Sequence, residues 1–228
     1  MQLPRRSIFY LHRQLLLEAL ALAEPYFAGD LLDIACLDQP YRRFFGSRVA
    51  HWWGCDLPTY VGWATSAHVY ARIEALPFLA QSFNTVLCTE TLYMLPKPSL
   101  VFEEAERLLK PGGHVIVSAP QQQARGPHHS DYFRFSRDGL EYMACQARLE
   151  PVASYEVGGA VAMLAFNILL HAGPLRGANG LAATLSVLCQ EVALRADRRW
   201  RQTSNAMGWV VVARKPNSVS APRTRSII

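Results

Sequence analysis

Short apolar runs alternate with amphipathic segments along the chain, and this rhythm predicts an α/β fold. Continuous apolar runs of strand length, such as Phe83 to Thr89, are typical of strands that are covered on both faces of a parallel sheet. Between them, Ser99 to Lys110 has apolar residues at helical spacing and stops at Pro111-Gly112-Gly113. We therefore predict a doubly wound, Rossmann-like sheet with right-handed crossovers.

The predicted elements run from an amphipathic first helix to a last strand near the carboxyl terminus. A short helix is predicted over Gln39 to Gly46, and another over Ser136 to Ala147 with Ser136 as its N-cap. The predicted strands are Asp30 to Ala35, Val49 to Cys55, His68 to Ile73, Phe83 to Thr89, His114 to Ala119, Leu149 to Val157 and Gly208 to Arg214.

A single domain is predicted to cover residues 1–216. The chain has 228 residues, of which 50% are hydrophobic and 18% charged, and this composition suits one well-buried core. Residues 158–203 form a predicted helical insertion before the last strand, and the Pro-, Ser- and Arg-rich tail 217–228 is predicted to be disordered.

Cysteine usage and charge narrow the classes of function. Five cysteines without a CxxC pair, at least three of them in apolar runs, indicate buried free thiols and a reduced, cytoplasmic protein. The net charge of +5 suits an anionic partner. However, the arginines are scattered and no aromatic-plus-basic module is visible, which argues against nucleic acid. Glu18 and Glu24 interrupt the first apolar run, which favours a helix over a signal peptide.

The helical insertion has two interpretations. Val157 to Leu170 is apolar apart from Asn167 and is too short to cross a bilayer, which needs roughly 20 residues. With Ala182 to Leu194 it can form a helical pair that covers the sheet edge or a substrate pocket. Alternatively, the four arginines at 195, 198, 199 and 201 favour peripheral membrane contact through 157–201. A homodimer or partner-subunit interface through the same apolar segments also stays open.

The chemistry is expected in the loops that follow the strands, because ligands of doubly wound folds bind at the carboxyl ends of parallel strands. The first of these loops has the sequence Asp33-Ile34-Ala35-Cys36-Leu37-Asp38-Gln39 and contains no glycine. The second acid at a strand end is Asp56, directly after Val49 to Cys55.

Several segments together resemble the class I S-adenosylmethionine-dependent methyltransferases, of the small-molecule branch found with glycan, lipid and natural-product biosynthesis. The resemblance spans Leu31 to Pro216. It implies a seven-stranded sheet with an antiparallel last strand, S-adenosylmethionine as cofactor, and methyl transfer to a small-molecule, lipid-type or glycan-type acceptor. The segments that carry it are LLDIACLDQPYRRFF, GCDLPTY, ALPFLAQSFNTVLCTETLYMLPKP, LLKPGGHVIVSAP, DYFRFSRDGL and TSNAMGWVVVARKP.

The resemblance also implies a cofactor site. Asp33, Ala35 and Leu37 stand at the family's D-x-G-x-G positions, Asp56 at the acid that binds the ribose hydroxyls, and Arg72 at the acid that binds adenine. Leucine disfavours positive φ and brings a branched side chain, while arginine has only donors. The other residues expected to bind the cofactor are Leu57, Leu76 and Thr89.

These changes leave two hypotheses open. If each altered contact costs about 1–3 kcal/mol, the sum weakens cofactor binding by several powers of ten. The first hypothesis is an active methyltransferase. The second is the same fold without the cofactor, acting as a cyclase, lyase or proton-transfer enzyme or as a non-catalytic partner subunit.

The loop after the fifth strand supplies the predicted catalytic groups. His128 and His129 are expected to take the acceptor's proton, with Asp131 orienting one of them. In the alternative interpretation, Arg134 pairs with an acid and Tyr132 packs structurally. No metal site is predicted. The residues expected to bind the substrate are Glu90, Tyr93, Tyr132 and Arg134.

Overall fold

A computed structural model describes residues 4–7, 9–58, 66–123, 130–171, 180–200 and 205–217. The strands in these ranges, numbered in chain order, are β1 Gly29–Ile34, β2 Val49–Asp56, β3 Val69–Tyr70, β4 Phe83–Thr89, β5 Leu109–Pro120, β6 Glu150–Val157 and β7 Gly208–Arg214. They form one sheet in the order β3-β2-β1-β4-β5-β7-β6. The α-helices of the same ranges are α1 Tyr10–Leu22, α2 Ser99–Leu108, α3 Arg137–Gln146, α4 Ala160–His171 and α5 Leu181–Arg199.

The strand directions confirm the predicted doubly wound sheet. β1 pairs in parallel with both β2 and β4, and β5 continues the parallel set beside β4. β7 runs antiparallel to β5 and to β6. The chain places β2 and β3 on one side of β1 and β4 with the later strands on the other side. The carboxyl ends of β1, β2 and β4 therefore meet at one edge, where such folds bind ligands.

Alternating residues of the strands separate two hydrophobic layers. Leu31, Leu87 and Ile116 point to the layer that contains α1, α4 and α5. Their neighbours Leu32 and Val86 point to the layer that contains α2 and α3. This period of two buries both faces of the sheet, which explains why the sequence shows continuous apolar runs.

The helix predicted over Gln39 to Gly46 is wrong. Only a single 3-10 turn, Arg42–Phe44, forms there. Gln39 has a φ of 55°, in the left-handed region, so it cannot be the first residue of a right-handed helix. Instead, three aromatic side chains of the segment are buried in the core: Tyr41, Phe44 and Phe45.

Two other predicted boundaries also moved. The third strand is confined to Val69–Tyr70, because it lies at the sheet edge and pairs only with β2. The fifth strand begins at Leu109, directly after α2, where the sequence predicted a turn at Pro111-Gly112-Gly113. The helix α3 begins after Ser136, whose Oγ accepts the N–H of Gly139 at 3.1 Å, as the N-cap prediction requires.

The helices α4 and α5 lie between β6 and β7, within the predicted insertion 158–203. They pack beside α1 and share its hydrophobic cluster on one face of the sheet. The domain bounds stay predictions, and the tail beyond residue 217 lies outside the described residues. None of the described helices combines the length and apolarity needed to cross a bilayer. Cys36, Cys55 and Cys88 are buried free thiols, as predicted.

Candidate cofactor and substrate site

Three acidic residues meet at the carboxyl ends of β1, β2 and β4. Asp33 lies in β1 beside Gly54 and Leu87, Asp56 ends β2, and Glu90 follows β4. This is the edge at which the sequence placed the chemistry. Asp33, Asp56 and Glu90 are all among the residues that the sequence predicted for the site.

Of these three acids, Asp33 has the least contact with solvent. The residue is 1% exposed, and neither carboxylate oxygen has a hydrogen-bond partner among the described residues. Burial, and in second place the charge of Asp56, hold the pKa of Asp33 well above its usual range. A buried carboxylate without a partner is costly, so a ligand that brings a positive charge would supply the missing interaction.

The loop after β1 keeps a glycine-like backbone without glycine. The φ angles are 58° at Ala35, 44° at Leu37 and 55° at Gln39, all in the left-handed region. Such angles cost a non-glycine residue on the order of 1 kcal/mol and persist only where the surroundings impose them. The loop therefore takes left-handed backbone angles at three residues that are not glycine.

Asp56 is the main group that imposes this conformation. Its Oδ2 accepts the N–H of Leu37 at 2.8 Å, and its Oδ1 accepts the N–H of Leu57 at 2.7 Å. The other side of the loop is tied to Ser66, whose N–H donates to the Leu37 carbonyl and whose carbonyl accepts from the Gln39 amide. Each oxygen of Asp56 keeps acceptor capacity for a ligand.

Glu90 belongs to a half-buried group that includes a histidine of α1. Ser118 Oγ donates to Glu90 Oε1 at 2.9 Å, and the backbone N–H of Glu90 donates to Ser118 Oγ at 3.0 Å. His12 Nε2 lies 3.5 Å from Glu90 Oε2, is buried, and has no hydrogen-bond partner among the described residues. Sequence reasoning missed His12. Its signal was a titratable residue on the apolar face of α1, at helical spacing from Leu15 and Leu16.

Tyr41 and Arg13 close the same side of the site. Arg13 Cζ lies 5.0 Å from the centroid of the buried Tyr41 ring. Burial raises the pKa of the Tyr41 phenol, which therefore stays protonated. Thr89 is buried at the end of β4. The ring of Tyr41 thus packs as a neutral wall beside the acids.

Two other predicted cofactor-binding residues, Arg72 and Leu76, lie in very different surroundings. Arg72 has a side chain that is 73% exposed, and its Nε lies 3.4 Å from Glu74 Oε2. Leu76 is buried in the hydrophobic layer of α2 and α3, against residues such as Phe83. Leu57, in contrast, is partly exposed beside Asp56.

The predicted catalytic loop is only partly described. His128 and His129 lie outside the described residues. Asp131 is bound through both oxygens by the guanidinium of Arg134, as the alternative interpretation of that arginine expected. Arg134 Cζ also lies 5.9 Å from the ring centroid of Tyr93. The backbone N–H of Tyr132 donates to the carbonyl of Tyr93 at 2.8 Å, while the Tyr132 side chain is exposed.

Comparisons with known proteins agree with this arrangement. Residues 32–117 match the family described as methyltransferase domain. The ubiquinone biosynthesis O-methyltransferase of Paraburkholderia phytofirmans is 25% identical over 187 residues, which is 77% of each chain.

Solved structures share the fold at low sequence identity. The 1,6-didemethyltoxoflavin-N1-methyltransferase of Burkholderia thailandensis, solved with S-adenosylhomocysteine, superposes with a TM-score of 0.54 at 16% identity and covers 90% of this chain and 78% of that one. The [4+2]-cyclase SpnF gives a TM-score of 0.52 at 17% identity, with 89% and 80% coverage. The domain match over residues 32–117, the relative and the order of the sheet together make this chain similar to the class I S-adenosylmethionine-dependent methyltransferases, whose fold it shares.

Proposed function

We propose that this protein binds S-adenosylmethionine and transfers its methyl group to a hydroxyl of a small-molecule or lipid-linked acceptor. The observation that carries the proposal is Asp33, a buried carboxylate with no hydrogen-bond partner in the part of the chain that the structure describes, next to the preorganised Asp56. The cofactor bears an ammonium group, a sulfonium group and a ribose diol. An acidic, dry edge of the sheet suits all three of them.

The described residues fit this cofactor at three positions. Asp33 would face its cationic part, the left-handed loop of Ala35 and Leu37 would lie along it, and Asp56 would accept from the ribose hydroxyls. When bound, the cofactor supplies an electrophilic methyl group. The side chain of Leu37 adds bulk at the loop, and Arg72 adds no acceptor for adenine. We therefore expect weaker cofactor affinity than a glycine loop gives.

His12 is the proposed proton acceptor. Its Nε2 is buried, makes no hydrogen bond to any residue that the structure describes, and lies close to the carboxylate of Glu90, which Ser118 fixes in place. A carboxylate in this position stabilises the imidazolium that forms when His12 takes a proton from the acceptor hydroxyl. The remaining contribution of the protein is positioning, because alignment of acceptor and methyl group supplies much of the rate in such a transfer.

The oxygen acceptor is favoured by the relative with the longest match. That protein is named as an O-methyltransferase, and the match covers 77% of its length. The proposed base also suits a hydroxyl, which must lose a proton during transfer.

Calorimetry with S-adenosylhomocysteine tests the cofactor proposal. The wild-type chain is expected to give a saturable heat, and Asp56→Asn should lower the affinity at least tenfold, because it removes a charged acceptor from the diol. Asp138→Asn is the matched control, since Asp138 is an exposed acid of α3. Equal affinities of the wild type and Asp56→Asn, or no heat at millimolar ligand, would overturn the proposal.

A His12→Gln variant tests the proton acceptor separately. The maximal rate of methyl transfer should fall about 100-fold or more while the affinity for S-adenosylhomocysteine stays unchanged. A variant that retains the wild-type maximal rate excludes His12 from proton transfer.

A further inference from the structure

The long helix α5 carries its polar and apolar residues on unexpected sides. Ser186, Gln190 and Asp197 are fully buried. Leu185, Leu188 and Val192, in contrast, are 48%, 56% and 54% exposed. A surface helix normally shows the opposite arrangement, with its apolar stripe toward the core.

Two of these three buried polar residues, Gln190 and Asp197, have a structural explanation. Gln190 Oε1 accepts the backbone N–H of Leu11, in the first turn of α1, at 3.0 Å. Asp197 accepts the backbone N–H groups of Gly159 and Ala162 at 2.9 and 3.1 Å, at the beginning of α4. These side chains therefore satisfy helix N-termini that would otherwise be buried without partners. That explanation does not extend to the exposed leucines and valine.

The neighbouring helix α4 extends the apolar surface. Leu164 and Ile168 are 62% and 52% exposed and line one groove with Leu185, Leu188 and Val192 of α5. We call these five residues the apolar face. Single exposed apolar side chains are common, but a contiguous set on two adjacent helices marks an interaction surface.

Basic and aromatic residues continue this face toward the end of α5. Val192 is followed along the same stripe by Arg195 and Arg199, both exposed, and by Trp200, which is 66% exposed. The acidic residues of α4 and α5 are Glu191, within 4.0 Å of Arg5, and the buried Asp197. The face therefore combines apolar side chains with positive charge and an aromatic ring, a combination typical of helices that lie in the headgroup region of a bilayer.

We propose that the apolar face and its two arginines dock on an anionic lipid surface. The helices lie in the plane of the interface, with Leu164, Ile168 and Leu188 at the acyl boundary and Arg195 and Arg199 at the headgroup phosphates. A second copy of this face would meet the apolar residues, but it would offer no exposed carboxylate of α4 or α5 to the arginines. An anionic lipid surface matches both features.

Co-sedimentation of the full chain with vesicles tests the proposal. Vesicles of phosphatidylglycerol and phosphatidylethanolamine should bind the protein, and pure phosphatidylcholine should bind it much more weakly. The double variant Ile168→Glu with Leu188→Glu should weaken binding at least about tenfold. The variant Arg195→Gln with Arg199→Gln should weaken it roughly twentyfold and remove most of its dependence on salt.

The matched control is Leu79→Glu, since Leu79 is 83% exposed and lies outside α4 and α5. It should bind vesicles like the wild type. Circular dichroism confirms that each variant keeps its helices, and sedimentation velocity without lipid reports the oligomeric state. Unchanged vesicle binding in the Ile168/Leu188 variant overturns the proposal. A wild-type dimer that the same variant dissociates, without lipid binding in either, overturns it too and identifies a second copy as the occupant.

Discussion

Replacing Asp33 by asparagine should stabilise the ligand-free protein while removing its cofactor affinity. The carboxylate is buried, has no hydrogen-bond partner among the described residues, and has Asp56 as a neighbouring charge. Keeping such a group ionised in the folded state costs about 1–3 kcal/mol beyond what a neutral amide costs. For a chain of this size, each kcal/mol changes Tm by roughly 2–4 °C.

The gain should depend on pH in a defined direction. The pKa of Asp33 is raised in the folded protein, so the folded state binds its proton more tightly than the unfolded state does. The part of the folding stability that depends on this proton of Asp33 is fully present below the pKa of the unfolded state, near 4. It is lost as pH rises toward the pKa of the folded state. Asparagine does not titrate, so the Tm difference between variant and wild type should be smallest at about pH 4 and largest in neutral buffer.

Thermal unfolding of both proteins across this pH range measures the effect, with Asp138→Asn as the exposed control. Saturating S-adenosylhomocysteine should raise the Tm of the wild type and leave the Asp33→Asn protein unchanged. The reasoning is refuted if the two proteins show parallel Tm profiles over the whole range, or if Asp33→Asn is less stable than the wild type in neutral buffer.

Two further substitutions test the loop and the helical pair. Leu37→Gly should raise the free energy of unfolding by about 1 kcal/mol and tighten S-adenosylhomocysteine binding, because it relieves a φ of 44° and removes side-chain bulk. Leu57→Gly is the control, since Leu57 has no positive φ. It should lower the free energy of unfolding in the same urea titration. Asp197→Ala should lower the free energy of unfolding by about 2 kcal/mol, because the N–H groups of Gly159 and Ala162 lose their buried acceptor; an unchanged urea midpoint would show that water replaces it.

The sequence predicted the parts of the fold that local patterns determine. β4 and β7 have the predicted bounds, because each is a buried apolar run with no competing pattern. The segment Gln39 to Gly46 does not form the predicted helix, because Gln39 has a φ of 55° and only the turn Arg42–Phe44 is helical. Its aromatic residues at 41, 44 and 45 have the spacing of one helix face, so the sequence pattern alone could not exclude a helix.

The sequence predicts those residues of the candidate site that lie at strand ends. It does not predict residues that reach the site because distant segments pack together. Asp33 and Asp56 could be placed at the sheet edge from the strand pattern alone. The contact of His12 with Glu90 arises because α1 packs over the sheet, and no local spacing encodes it. The exposed apolar stripe of α5 could not be predicted either, because the periodicity of apolar residues does not say which side of a helix faces the core.

Transfer of a labelled methyl group by the full chain tests the proposed function most directly. The full chain is incubated with S-adenosylmethionine labelled in its methyl group and with a set of phenolic acceptors, and labelled product is separated and counted. We expect labelled product from the wild type and strongly reduced product from both His12→Gln and Asp56→Asn. Product formed equally by all three proteins, or a wild type that binds the cofactor and labels no hydroxyl acceptor, would contradict the proposed function.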